Sequence, residues 1–453
     1  MKKYIFPILL IFVICSCSKE NENISIDQQI DNIISQINEP NIPTNKANLS
    51  DFGASGDSLT DCKPAFDSAM IYAREKGNLH LTIDNGIYIC KGPIHLESNV
   101  RIELADSAKI IFDTSNDEYY LPVVNTSWEG TYLYNYSPMI YAYQKENIAI
   151  VGNGIIDGNS ANTFGQWKEH QKQGLELSRK YNHEKTPLEK RQFGKGYFLR
   201  PQLMQFFECK NLLLEKFTIL DAPFWCVHLL KSESITIRNL TYNAYNKNND
   251  GIDPESCKNV LIEGCIFGNG DDNVAIKSGR DDDGRDTNIP SENIIIRNCS
   301  FKGLHGVVLG SEMSGGIKNV FIKDCTNGGY CKRGIYIKTN PDRGAFISNI
   351  FVDNVEFSEV LDCFYITAMY HGEIDGNYAT DIHSFNINNL RCTKANNAGI
   401  VIQGFEKNPV RDIHFSNIQI DSTKNAISMT NTKNITMENI IIGEEEKIPS
   451  HVQ

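Results

Sequence analysis

NVLIEGCIF (259–267), NIIIRNCSF (293–301) and NVFIKDCTN (319–327) are copies of one pattern: a small polar residue, an apolar-x-apolar stretch, a turn residue, then one more buried-looking side chain. Segments beginning at Asn211, Ser234, Asn349, Ser384, Asp412 and Asn434 follow the same template. The final position then reads Phe217, Leu240, Cys265, Cys299, Cys325, Val355, Leu390, Ile418 and Ile440, all apolar or thiol. In seven of the nine copies the residue before it is Asn or Gly, which tolerate the left-handed backbone that a turn between short strands needs. Each copy therefore reads as a strand, a bend and a strand. Copies start 22 to 35 residues apart, and the longer gaps are rich in Gly, Asp, Asn and Pro, as loops inserted into a regular coil would be. A single unit cannot bury its own apolar face, so the units must stack. The expected fold class is all-β, a right-handed parallel β-helix (solenoid) with coils about 4.8 Å apart. A leucine-rich horseshoe is disfavoured, because no LxxLxL signature or helical period recurs.

A chain of 453 residues with 41% hydrophobic content can run as one long solenoid. Its net charge of −12, with no basic run, argues against a nucleic-acid partner. Lys2, Lys3 and an apolar run over 4–16 precede Cys17; thirteen residues are too few to span a bilayer and suit a secretory signal. The ending Ile14, Cys15, Ser16, Cys17 resembles a bacterial lipobox. Residues 1–17 thus read as a lipoprotein-type signal peptide with Cys17 as the lipidated residue, an ordinary signal peptide being the alternative. Either implies a secreted, cell-surface or periplasmic protein of a Gram-negative bacterium, touching the membrane only through its anchor. Eleven cysteines follow Cys17, an odd number that speaks against a complete disulfide framework. Cys265, Cys299 and Cys325 read as small apolar filler at one ladder position, and no CxxC pair has zinc-site spacing.

Residues 18–46, rich in Asn, Ile and Gln, read as a tether, and 444–453 as a tail. The β-helix is expected over 47–443, with inserted loops at 115–140 and 159–200. Ala65, Phe66, Ala69, Met70 and Ala73 mark one face of an amphipathic helix ended by Gly77, suited to capping the open N-terminal end of the solenoid. The charged stretch 159–200 is too polar for a core, and is either a lid beside a groove or a surface excursion.

Stacking brings chemistry together. NNDGID (248–253), GDDNVAIKSG (270–279), LHGVVLGSE (304–312) and RGIYIKT (333–339) place Asp250, Asp271, Asp272, His305 and Lys338 in successive coils. A solenoid gains no stability by aligning like charges. Asp250 and Asp271 lie 21 residues apart, one short coil, which predicts backbones about 5 Å apart if the registers match. Two carboxylates at about 5 Å repel by roughly 3 kcal/mol at an effective dielectric near 20, or about two pKa units. Three should hold a proton at neutral pH. An acid beside bases is the arrangement that breaks a glycosidic bond. Neighbouring strand residues face opposite ways, so presenting both Asp271 and Asp272 requires a bend, which Gly268 and Gly270 permit.

These four motifs, in this order and with FGASGD (52–57), resemble glycoside hydrolase family 28, the polygalacturonases and their relatives, over roughly 48–443. The resemblance implies an inverting hydrolase of α-linked galacturonic acid in pectin, working without a cofactor or metal. It casts Asp271 as the acid on the leaving oxygen, Asp250 and Asp272 as activators of water, His305 as tuning the acid's proton, and Lys338 as binding a galacturonate carboxylate. Asn248 belongs to the same substrate site. An exo mode is expected if the insertions within 115–200 wall off one end of the groove, and a monomer is expected. Three positions depart from the family: Asn249 stands where Thr is usual, Leu304 where Gly is frequent, and Tyr336 where an Arg precedes the Lys. A phenol cannot reproduce the forked contact of a guanidinium with a carboxylate. Arg333 is placed to compensate, or the substrate is rhamnogalacturonan or a substituted pectin. Arg280 and Arg285 suit either a uronate or surface ion pairs. A Ca²⁺-dependent polysaccharide lyase on the same fold and a non-catalytic adhesin are the other readings.

Overall fold

The computed structural model describes residues 25–372 and 376–443, together with the backbone of 451–452. Three short parallel strands make one turn of the coil. Met204–Phe207, Lys210–Glu215 and Thr218–Leu220 stack on Val227–Leu230, Glu233–Arg238 and Thr241–Asn243, in the registers Met204↔Val227, Leu212↔Ile235 and Thr218↔Thr241. Toward the C-terminus the strands of a turn fuse into long bent ones, Ile317–Lys338, Phe346–Thr367, Asp381–Gln403 and Val410–Thr430. The chain is a right-handed parallel β-helix, as the repeat predicts.

The repeat's small polar residues explain the bends. The nine starting positions, from Asn211 and Ser234 to Asp412 and Asn434, all have positive φ, and so do the nine turn positions from Lys216 and Asn239 to Asn417 and Asn439. One left-handed residue turns the chain without ending the sheet. Stacked asparagines then bond each other: Asn293 Nδ2 donates to Asn259 Oδ1 (2.8 Å), and Asn319 Nδ2 to Asn293 Oδ1 (3.0 Å). Between the bends, Ile235, Val260, Ile294, Val320, Ile350, Phe385, Ile413 and Ile435 form a buried apolar column, paired strand to strand. Asn293→Leu is expected to cost about 2–4 kcal/mol, from the left-handed penalty of a branched residue and the loss of two amide bonds. Urea unfolding checks this, and Asn293→Gly should recover the backbone part of the loss.

Cys265, Cys299 and Cys325 are buried free thiols. The helix Lys63–Lys76 buries Ala65, Phe66, Ala69, Met70 and Ala73, the face its spacing predicts. The reading of 18–46 as a tether is corrected over its described part. Ile26–Ile34 is a helix with Ser25 and Gln28 in a capping box, and its Ile30 and Ile33 pack on Leu261, Ile295 and Phe321, the outer faces of three successive coils. Isoleucines at 26, 30, 33, 34 and 37 carry the helical spacing that the polar composition conceals. The leader 1–17 with Cys17 lies outside the described residues. So does the tail, except that His451–Val452 pairs antiparallel with Ile435 and Thr436.

Candidate active site

One face of the first sheet gathers the motifs. Ile252 pairs with Val274, Asp272 with His305, and His305 with Arg333. The coil from Ile252 to Val274 is therefore 22 residues, not 21, and Asp272 rather than Asp271 continues the register level with Asp250. Asp271 precedes the strand Asp272–Ile276, so strand alternation does not turn it away. The bend expected from the glycines is present: a Cβ on Gly270 would come 2.1 Å from the Asn246 carbonyl oxygen.

The two neighbouring aspartates are treated very differently. Asp272 accepts from His305 Nδ1 (2.5 Å) on one oxygen and from Lys338 Nζ (2.9 Å) on the other. Burial alone would raise its pKa, but the Lys338 ammonium and His305 together outweigh burial and hold the carboxyl well below the usual carboxylate range. Asp271 accepts a 3.2 Å bond from Asn248 Nδ2. Burial, and then the Asp272 charge beside it, push Asp271 up to about 7. One carboxyl is thus an acid near neutral pH and its neighbour a carboxylate. Burial with the charges of Asp253 and Asp271 also pushes Asp250 well up, and burial lifts Asp253 to about 8 against the pull of Lys277. Lys277 Nζ lies 3.6 Å from Asp250, 3.4 Å from Asp253 and 3.4 Å from Glu312, and 4.6 Å from the ring centroid of Trp225.

Asn248, Asp250, Asp271, Asp272, Arg280 and Lys338 line one pocket. Two expectations are altered by the contacts. His305 bonds Asp272, not the acid Asp271, and Lys338 is already an ion-pair partner of Asp272. Arg333 and Tyr336 do not line the pocket. Arg333 pairs with Asp362 (3.2 Å) between the rings of Tyr336 and Tyr365, so its charge is neutralised there. Arg285 does not line the pocket; it donates to the Arg343 carbonyl and pairs with Asp282.

Residues the sequence reading did not single out complete the pocket: Glu129, Arg179, Trp225, Lys277, Glu312, Arg343 and Tyr370 among them. Lys277 and Glu312 stand inside the quoted motifs, and strand alternation from Ala275 would have found Lys277 on the outward face. Glu129 and Arg179 come from the insertions. The hairpin of Val124–Trp128 and Thr131–Asn135 lies over the N-terminal flank of the groove: Thr126 Oγ1 donates to Gln205 Oε1 (2.8 Å) and Tyr141 OH to the Asn125 carbonyl (2.6 Å). Tyr141, Gln205, His228 and Asp253 form one strand-to-strand row, so the hairpin occupies the row that ends at the carboxylates. Within 159–200, Lys168 Nζ (2.5 Å) and Arg200 Nη2 (2.8 Å) donate to Asn248 Oδ1, and the helix Lys172–His183 brings Leu175 and Arg179 to the pocket.

Asp271, Asp272 and His305 offer metal-ligand atoms within 4.8 Å of one another. Both Asp272 oxygens are engaged by His305 and Lys338, and a hard cation such as Ca²⁺ takes six to eight oxygens. Buried ammonium groups thus balance the cluster's charge.

Comparison with known proteins agrees with this geometry. The family model of glycosyl hydrolases family 28 matches residues 124–441. A probable polygalacturonase of Vitis vinifera is 29% identical over 393 residues, 83% of this chain and 74% of its own length. An exo-poly-alpha-D-galacturonosidase of Dickeya chrysanthemi is 24% identical over 302 residues, 61% of this chain and 49% of its own. Among solved structures, a hyperthermoactive exopolygalacturonase from Thermotoga maritima aligns with a TM-score of 0.86 at 37% identity, covering 92% of this chain and 96% of that one.

Proposed function

The chain belongs to glycosyl hydrolases family 28, a family of glycoside hydrolases, and from that premise we propose that it releases galacturonic acid from the end of pectic chains by an inverting mechanism. The observation that carries the reading is the asymmetric carboxyl pair, Asp271 raised to about 7 beside Asp272 held ionised by Lys338 and His305. Asp271 gives its proton to the leaving glycosidic oxygen. The Asp272 carboxylate takes a proton from the water that attacks the opposite face of the sugar, and Asp250 helps to orient that water. Lys338, Lys277 and Arg280 line the pocket in ion pairs with Asp272 and Glu312, a cationic lining that suits an anionic sugar.

The exo mode rests on the hairpin Val124–Asn135, which fills the N-terminal row of the groove and leaves space for a chain terminus rather than a passing chain. Digestion of a long galacturonan should release galacturonic acid alone from the start, as the β anomer by early proton NMR. A ladder of oligomers would contradict the exo mode, and the α anomer the inversion. An extracellular site of action, on a surface or periplasmic lipoprotein anchored through Cys17, belongs to the same proposal.

A second reading has one observation in its favour. Tyr336 takes the position of an expected arginine, and Arg333 is committed to Asp362 instead of a substrate carboxylate. Rhamnogalacturonan or a substituted pectin would place fewer carboxylates there, and the same product assay on those polymers discriminates.

A further inference from the structure

The tip of the hairpin is built in an unfavourable way. Trp128 pairs with Thr131, so the turn consists of Glu129 and Gly130 alone, with φ of 45° and 78°. A two-residue turn with positive φ at both positions favours Asn or Asp before Gly. Glutamate, with its longer side chain, gains nothing from that backbone conformation, and a non-glycine residue held there points to a role for its side chain.

The surroundings indicate which role. The tip is pressed into the pocket: the Gly130 carbonyl accepts from Arg280 N (2.9 Å), and a Cβ on Gly130 would lie 2.9 Å from Arg280 and 3.0 Å from the Glu312 side chain. The Glu129 carboxylate, 19% exposed, is paired with the nearly buried guanidinium of Arg179, which also lies over the Trp128 ring at 5.8 Å. Glu129 and Arg179 both line the pocket that holds Asp271, Asp272 and Lys338. At the hairpin tip the pocket therefore presents a carboxylate acceptor held in place by a guanidinium.

We propose that Glu129, positioned by Arg179, binds the free 4-hydroxyl of the non-reducing terminal sugar and so determines which chain ends are substrates. This rests on the exo reading above. In a 1,4-linked chain the non-reducing terminal unit alone carries that hydroxyl, and every interior unit carries another sugar there, where the turn stands. A carboxylate accepts the hydroxyl proton, and the ion pair with Arg179 fixes the direction in which it does so. The reducing terminus is less suited to such a fixed pair, because its anomeric hydroxyl interconverts between two configurations. Chains cut by elimination end in a 4,5-unsaturated unit that lacks the 4-hydroxyl, so hydrolysis, not elimination, must supply this enzyme's substrates.

The test compares kcat/KM on saturated trigalacturonate with that on the trimer bearing a 4,5-unsaturated non-reducing end, for wild type, Glu129→Gln and Glu129→Asn. Sites built to bond a hydroxyl reject analogues lacking it, so wild type should prefer the saturated trimer by at least about 100-fold. Both variants should lose about 10- to 100-fold on the saturated trimer, with the preference falling at least about tenfold. Asn suits the turn better than Glu, and the preference is a ratio within one preparation, so misfolding cannot imitate the result. Equal use of both trimers by wild type, or a preference unchanged in the variants, overturns the proposal while leaving the exo reading standing. An oligomer ladder from wild type on long chains removes the exo reading and the proposal with it.

Discussion

Asp271→Asn is expected to lower kcat by about 10²- to 10⁴-fold, the range for loss of a positioned proton donor, with KM changed little. An amide has the shape of the carboxyl and its bond from Asn248 Nδ2, but no proton to deliver to the leaving oxygen. The same change should stabilise the protein at alkaline pH. A carboxyl with a folded-state pKa of about 7, against an ordinary 3.8, binds its proton more tightly when folded. The stability it contributes is complete below about pH 4 and is lost as pH rises through 7. At pH 8 wild type therefore carries a buried, repelled carboxylate that the amide lacks. Thermal unfolding at pH 3.5, 5 and 8 should show the variant gaining on wild type progressively as pH rises, with the largest gain at pH 8, while turnover is lost throughout.

Lys338→Met should be nearly as damaging, at about 10²- to 10³-fold in kcat/KM at neutral pH, the scale of breaking a buried charge pair. Lys338 Nζ supplies one of the two bonds to Asp272, and its ammonium is the first of the influences that offset the burial of that carboxylate. Without it, burial raises the Asp272 pKa and the water-activating carboxylate is increasingly protonated. In wild type, kcat/KM should fall as pH rises through about 7, where Asp271 loses its proton, and persist on the acid side below the ordinary carboxylate range. In Lys338→Met the acid limb should move to higher pH. An unchanged acid limb would mean that Lys338 serves the substrate alone.

The parts of this molecule legible in its sequence are those that repetition imposes. Asn239, Asn298 and Asn354 betray the bends because few residue types accept that backbone, and the alignment of copies then brings Asp250, Asp272, His305 and Lys338 to one face. Counting residues between motifs misplaced the pairing by one, since register is set by the hydrogen bonds at Ile252 and Val274 and not by loop length. Which of two adjacent carboxyls His305 would meet is likewise decided by where the strand begins, at Asp272. Glu129 and Arg179 stayed hidden for a different reason. They meet across 50 residues from two separate insertions that follow no repeat, so nothing in the chain aligns them before it folds. Ile30 and Ile33 had a visible helical period, but lay in a stretch whose polar composition reads as a spacer.

The claim on which the mechanism depends is that stacking makes an acid of Asp271 and a carboxylate of its neighbour Asp272. Titrating the ¹³C-labelled aspartate carboxyls by NMR, with Asp271→Asn and Asp272→Asn to assign the signals, measures it directly. The Asp271 signal should change with a midpoint near pH 7, while that of Asp272 stays ionised to below pH 3.8. Two signals titrating together near pH 4 would contradict it.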